Sequence, residues 1–170
     1  MSGSLESRFL EVHREHMGIV MRTALAFTQN AADRADLCQE ILFSLWQALP
    51  QFQGRAKIST YVYRVAHSCA MNWKRSRQRY VRKLDLYAGE PLVGTGAKEN
   101  PANDPRIAWL YACIHELPAV DRSVILLSLD GLSYAEIADV TGLSESNVGV
   151  RIHRIKQHLA AQSERLKHEL

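Results

Sequence analysis

Apolar residues recur along this chain at steps of three and four, and no four-residue run alternates in the manner of a half-buried strand. The pattern predicts helices almost throughout. A first helix runs from about Leu5 to Phe27, with Leu5, Phe9 and Val12 on one face. A second begins near Asp33 and stops at Pro50, with Leu37, Ile41, Leu45 and Leu49 turned inward. A third starts after Ser59 or Thr60, either of which suits an N-cap, and continues to about Tyr80. Its apolar side is Val62, Val65, Ala66, Cys69 and Trp73.

Periodicity then lapses. The stretch LDLYAGEPLVGTGAKENPANDP, Leu84 to Pro105, holds three glycines and three prolines and reads as a flexible linker. Asp104 followed by Pro105 opens a further helix, an N-cap with proline at the first helical position, and Ile107, Leu110, Ile114 and Leu117 follow at helical spacing. Pro118 opens another that ends near Gly131. The expectation is an all-α chain of two small helical domains, 1–83 and 105–170, joined by a linker over 84–104.

Within the second domain, Ser133 and Glu136 fit a capping box, Gly142 permits a tight turn, and Ser144 suits a second cap. The following helix has one apolar stripe, Val148, Ile152, Ile155 and Leu159. Ser146, Val150, His153, Arg154 and Gln157 fall opposite, with Asn147 and Arg151 on the flank and Lys156 nearby. Two short helices meeting at one glycine, the second with a wet basic face, form a helix-turn-helix suited to the major groove. A plain helical hairpin with a basic face fits the same segment. Each neutralised phosphate adds only about one unit of salt slope, so so few cations would read DNA weakly without help from elsewhere.

Charge changes the picture more by its placement than by its sum. The 170 residues carry a net charge of only +3. Yet Ser59 to Lys83 contains seven basic residues and no acidic one, whereas acids outnumber bases from Met1 to Pro50. Such segregation predicts one surface for a polyanion and another for a different partner. On the second helix Asp36, Glu40, Phe43 and Gln47 share a face away from the apolar stripe, an aromatic among acids that fits a protein partner; a second buried edge is the alternative. The loop from Gln53 to Ile58 is basic and contains Gly54. The helix after it presents Tyr61, Tyr63, Arg64, His67, Ser68, Met71 and Asn72 ahead of the basic run from Lys74. Aromatics, polar groups and a cationic track suit single-stranded nucleic acid, where each stacked base contributes about 1–3 kcal/mol. The alternative places Tyr61 and Trp73 in the core, Trp73 above all, and leaves the run from Lys74 as a solvated helix end.

Other chemistry is excluded or unsupported. Cys38, Cys69 and Cys113 are far apart and lie among apolar residues, as small buried thiols do. The seven histidines show no metal-ligand spacing, and no nucleophile–base or phosphate-loop arrangement is present, so neither a metal, a cofactor nor an enzyme is expected. No apolar run approaches the roughly 18 residues that span a bilayer. Glu6 and Glu11 precede any apolar block, so a cytoplasmic protein without a secretory signal is expected.

The two halves together resemble the extracytoplasmic-function group of bacterial RNA polymerase sigma factors, in the sigma-70 family. The segments DLCQEILFSLW (Asp36 to Trp46) and FQGRAKISTYVYRVAHS (Phe52 to Ser68) are similar to the first domain of that group, and LPAVDRSVILLSLDGLSYAEIADVTGLSESNVGVRIHR is similar to the second. The resemblance covers roughly residues 5–160. It implies that Asp36, Gln39, Glu40, Phe43 and Gln47 dock on the clamp of core RNA polymerase. It implies that Gln53, Gly54, Arg55, Lys57, Tyr61, Tyr63, Arg64, Ser68, Asn72, Lys74 and Arg75 melt the −10 element and hold a flipped base of the non-template strand. Ser146, Asn147, Gly149, Val150, Arg151, His153, Arg154 and Lys156 would read the −35 element as duplex. The second domain would also meet the polymerase flap. An anti-sigma protein, frequently membrane-anchored in this group, is a further implied partner.

Four positions depart from the family's pattern: Tyr61 for a usual Trp, Ser68 for a frequent Asn, and Gly149 and Val150 for common Arg and Ser. A helical glycine costs about 1 kcal/mol relative to alanine, so an unusual −35 preference is expected. Two other functions fit parts of the sequence. One is a stand-alone helix-turn-helix regulator; the other is a sigma mimic that titrates an anti-sigma factor. Arg64, Asn72, Arg151 and Arg154 weigh against the mimic.

Overall fold

A computed structural model describes residues 2–88 and 103–168. Among these residues there are seven α-helices and no strand: α1 (Ser2–Phe27), α2 (Ala31–Ala48), α3 (Ile58–Ala88), α4 (Pro105–Glu116), α5 (Ala119–Leu129), α6 (Tyr134–Thr141) and α7 (Glu145–His168). A 3₁₀ turn, Leu49–Gln51, closes α2 where Pro50 stops it. None of the helices is long and apolar enough to cross a membrane. Residues 89–102, the greater part of the expected linker, lie outside the described residues.

Most helix starts follow local chemistry. Asp104 caps α4 by accepting from the Arg106 N–H, and Pro105 takes the first helical position. Ser133 and Glu136 close a reciprocal capping box at the head of α6. The turn into α7 depends on Gly142, whose φ of 76° lies in the left-handed region. Ser144 accepts from the Asn147 N–H at 3.2 Å and caps α7.

Three expected boundaries are corrected. The second helix begins at Ala31, because Asn30 caps it by accepting from the Asp33 N–H at 2.8 Å. The third begins at Ile58 without Ser59 or Thr60 as cap; the Tyr61 N–H already bonds the Lys57 carbonyl, so both lie inside the first turn. It also runs past Tyr80 to Ala88, since residues 81–88 contain neither glycine nor proline to stop it.

The helices α1, α2 and α3 pack on Val20, Ala24, Leu37, Ile41, Leu45, Leu49, Val62 and Ala66, all buried. A second cluster, Val124, Leu127, Ile137, Val140, Val148 and Ile152, holds α5, α6 and α7 together as the helix-turn-helix. The larger core does not end at the linker: Ile114, Leu117, Ile125, Leu126 and Ile155 of the C-terminal half belong to it. Removing any of the fully buried leucines or isoleucines would cost about 2–5 kcal/mol. Cys38, Cys69 and Cys113 are buried free thiols, as their neighbours in sequence predicted.

Candidate nucleic-acid interface

The outer face of α2 is built by periodicity. With Leu37, Ile41 and Leu45 fixed in the core, Asp36, Gln39, Glu40, Phe43 and Gln47 are left exposed. Phe43 is 61% exposed, far more than a core aromatic. Its neighbour Trp46 instead packs edge-on against Phe9, ring centres 5.2 Å apart.

The residues expected at the −10 element separate into three groups. Arg64, Ser68 and Asn72 line an open cleft of about 400 Å³ between α2 and α3, together with Tyr61. Glu40, Ser44, Ala48, Val65 and Cys69 complete the cleft. Glu40, assigned from sequence to the polymerase face alone, thus also borders this cleft. Ser44 was missed; its position one turn after Glu40 on α2 was the available signal. Tyr61 is held rather than free: its hydroxyl donates to the Ala48 carbonyl at 2.9 Å and its ring lies 4.9 Å from that of Phe52. Arg8 sits over the other ring of the pair, 5.3 Å from the Phe52 centroid.

The second group is the loop. Gln53, Gly54, Arg55 and Lys57 are exposed, and Gly54 adopts φ 70°, the left-handed conformation that the chain needs to enter α3. Arg75 is exposed farther along α3. Lys74 is only half-exposed, and burial, with the nearby Arg122 charge, lowers its pKa.

The third group faces the other half of the chain. The Tyr63 hydroxyl donates to Asp130 Oδ2 at 2.8 Å, and Asp130 is also paired with Arg22 at 2.8 Å. Burial first, then Asp130, push the Tyr63 pKa up to about 12. His67 Nδ1 lies 2.8 Å from Ser123 Oγ. Arg64, although it lines the cleft, sends its guanidinium to Asp139 of α6 at 2.6 Å, and Lys57 approaches Glu136 of α6 at 3.8 Å. The two halves are therefore closed on one another.

On α7 the expected reading face is open to solvent: Ser146, Asn147, Val150, His153, Arg154 and Lys156 are exposed, while Val148, Ile152 and Ile155 are buried. Arg151 is more confined, bonded to Asn147 at 2.9 Å and to Asp121 at 2.5 Å. Gly149 lies under the ring of Tyr134 of α6, a neighbour that helical period alone does not reveal.

This architecture can be set beside known proteins. Residues 12–80 match the family model described as sigma-70 region 2, and residues 107–159 match that of sigma-70, region 4. The RNA polymerase sigma factor YlaC of Bacillus subtilis is 26% identical over 160 residues, covering 92% of this chain and 90% of that protein. The ECF RNA polymerase sigma-E factor of Haemophilus influenzae is 27% identical over 135 residues, 74% of this chain and 71% of that protein. Among solved structures, the sigma factor RpoE of Bartonella quintana, in complex with the anti-sigma factor NepR, superposes with a TM-score of 0.73 at 18% identity, over 91% of this chain and 97% of that one, which shows a shared fold. Two models of one family thus account for most of the chain in the order region 2, then region 4, and the chain belongs to the sigma-70 family of RNA polymerase sigma factors, in its extracytoplasmic-function group.

Proposed function

We propose that this alternative sigma factor joins core polymerase through the outer face of α2, opens the −10 element through the α2–α3 cleft, and reads the −35 element with α7. The observation that carries the reading is the cleft. Arg64, Ser68 and Asn72 bring a cation, a hydroxyl and an amide to one opening, beside the exposed basic loop from Gln53. A base rotated out of the duplex needs such hydrogen-bonding groups and a cation for the adjoining phosphate. Phe43, Asp36, Gln39, Glu40 and Gln47 give the polymerase clamp an aromatic anchor in an acidic rim.

In this reading the chain is cytoplasmic and supplies no catalytic group; nucleotidyl transfer belongs to the polymerase. An anti-sigma protein is its regulator in this reading, as RpoE, the fold neighbour, is bound by one. Run-off transcription from a promoter pool with purified core polymerase tests the assignment. Promoter-specific transcripts should depend on this protein and disappear with Asp36→Ala and Glu40→Ala together. Binding to duplex DNA without any stimulated transcript would favour a stand-alone regulator instead.

A further inference from the structure

This inference rests on the assignment of α7 to the −35 element. We infer that Val150 sets specificity there by seating the 5-methyl group of a thymine in the major groove, with the ring of Tyr134 as the second wall of the seat. On a helix of 3.6 residues per turn, Ser146, Asn147, His153 and Arg154 surround position 150 at steps of four and three, and all four are exposed. Val150 thus stands at the centre of the outer face, itself 56% exposed. It serves no core, because Val148, Ile152 and Ile155 fill that role on the opposite side of α7.

The polar side chains around it are partly spent inside the protein. Arg151 Nε donates to Asn147 Oδ1 at 2.9 Å, and another nitrogen of the same guanidinium meets Asp121 at 2.5 Å. The fork that would grip a guanine edge is therefore engaged, and the Asn147 acceptor with it. What remains at the centre is a branched apolar side chain that neither donates nor accepts. A base donor or acceptor pressed against it would lose water and gain no partner. Of the groups that base pairs offer in the major groove, the thymine 5-methyl is the apolar one that fits.

The second wall depends on Gly149. That residue has no side chain, and the Tyr134 ring takes the place one would fill, with Cε2 and Cδ2 3.3 and 3.6 Å from the position of a Cβ. The ring is half-exposed. Apolar surface therefore continues from Tyr134 across position 149 to Val150, while Arg154 and Lys156 stay exposed for phosphates. The cations position the duplex, and the apolar centre selects the base.

The test uses reconstituted holoenzyme and the −35 element that it selects from promoters randomised at that element. Fluorescein-labelled promoter fragments carry the selected sequence with each thymine in turn replaced by uracil, which lacks only the methyl group. One or two of these positions should weaken wild-type binding about fourfold, the worth of one buried methyl. Holoenzyme with Val150→Ser should bind the uracil and thymine fragments alike, and Tyr134→Ala should shrink the penalty to less than about twofold. Wild-type binding that ignores every uracil overturns the proposal, as does an undiminished penalty with Val150→Ser. An undiminished penalty with Tyr134→Ala takes the ring out of the seat and overturns that part. Should Val150→Ser melt below the wild type, Val150→Gln, a better helix former, carries the test on the same criterion. Promoter-specific transcription with no preferred −35 sequence, or with a preferred element lacking thymine on both strands, also overturns the methyl seat and leaves the sigma assignment standing. Absence of any promoter-specific transcript is a different result, and it overturns the sigma assignment itself.

Discussion

The ring of Tyr134, at the head of α6, lies against Gly149 of α7 so closely that a Cβ there would stand 3.3 Å from Tyr134 Cε2. Gly149 thus makes room for an aromatic that is itself half-exposed at the edge of the reading helix. Gly149→Ala removes the helical glycine penalty of about 1 kcal/mol but presses on that ring. A gain of less than about 1 kcal/mol in urea unfolding is expected, because the ring lies at the surface and can give way. Gly149→Arg adds a cation to the face and displaces Tyr134. Sequences selected at the −35 element from a random pool should therefore change, and an unchanged selection would remove Gly149 from the recognition surface.

Arg122 is a buried charge among the described residues, and it is held by backbone carbonyls. It donates to the carbonyls of Leu117 at 2.8 Å, Ala26 at 3.4 Å and His115, and its guanidinium lies 5.8 Å from the Phe27 centroid. Burial lowers its pKa, and those hydrogen-bond partners are neutral carbonyls, so the planar fork of donors is what satisfies them. Arg122→Ala should cost on the order of 3 kcal/mol in chemical denaturation, since buried carbonyls lose their donors and a cavity forms. Arg122→Lys should recover only part of that, because one ammonium cannot span three carbonyls. Full recovery by lysine would show that charge alone matters there.

What the sequence revealed of this fold was carried by neighbours in the chain. The Ser133–Glu136 box, Gly142 and Pro105 act within one turn, so their chemistry reads directly. Asn30 and Asp33 carried a comparable cap that was overlooked, and the absence of a breaker after Tyr80 already implied a longer third helix. The site was less legible because its partners are remote. Tyr61 and Tyr63 are two residues apart, yet one hydroxyl is tied to Ala48 and the other to Asp130, 67 residues away. Helical period places each on a face; it cannot say that the facing surface is the chain's own second half.

The exposed ring of Phe43 separates binding from folding. It has little of its surface buried in the fold, so Phe43→Ala should change stability by no more than about 0.5 kcal/mol. If the α2 face is the polymerase anchor, the same variant should weaken holoenzyme assembly at least tenfold, about 1.4 kcal/mol. Trp46→Ala, which breaks the packing on Phe9, should do the reverse and lower the melting temperature more than it lowers affinity. Titration of labelled core polymerase beside thermal melts distinguishes the two. Wild-type affinity for Phe43→Ala would place the anchor elsewhere.

His67 gives the closed arrangement a pH dependence with a definite sign. It lies between α3 and α5 against Ser123, and burial lowers its pKa from the ordinary 6.5. The cavity beside it is lined by Thr23, Phe27, Tyr63, Leu126 and Leu127 as well. Tyr63, the other titratable group of that lining, titrates near 12 and stays neutral in this range. The unfolded chain therefore takes up a proton at His67 at a higher pH than the folded protein does, so unfolding binds protons. The contribution of the neutral imidazole is fully present above about 6.5 and is lost as pH falls below it. His67→Gln keeps a hydrogen-bonding partner for Ser123 but cannot titrate. Melting temperatures measured from pH 7.5 down to about 5 should fall more steeply for the wild type than for His67→Gln, the other histidines being common to both. Parallel curves would mean that His67 titrates alike in the folded and unfolded chain, and that its burial between the halves does not persist in solution.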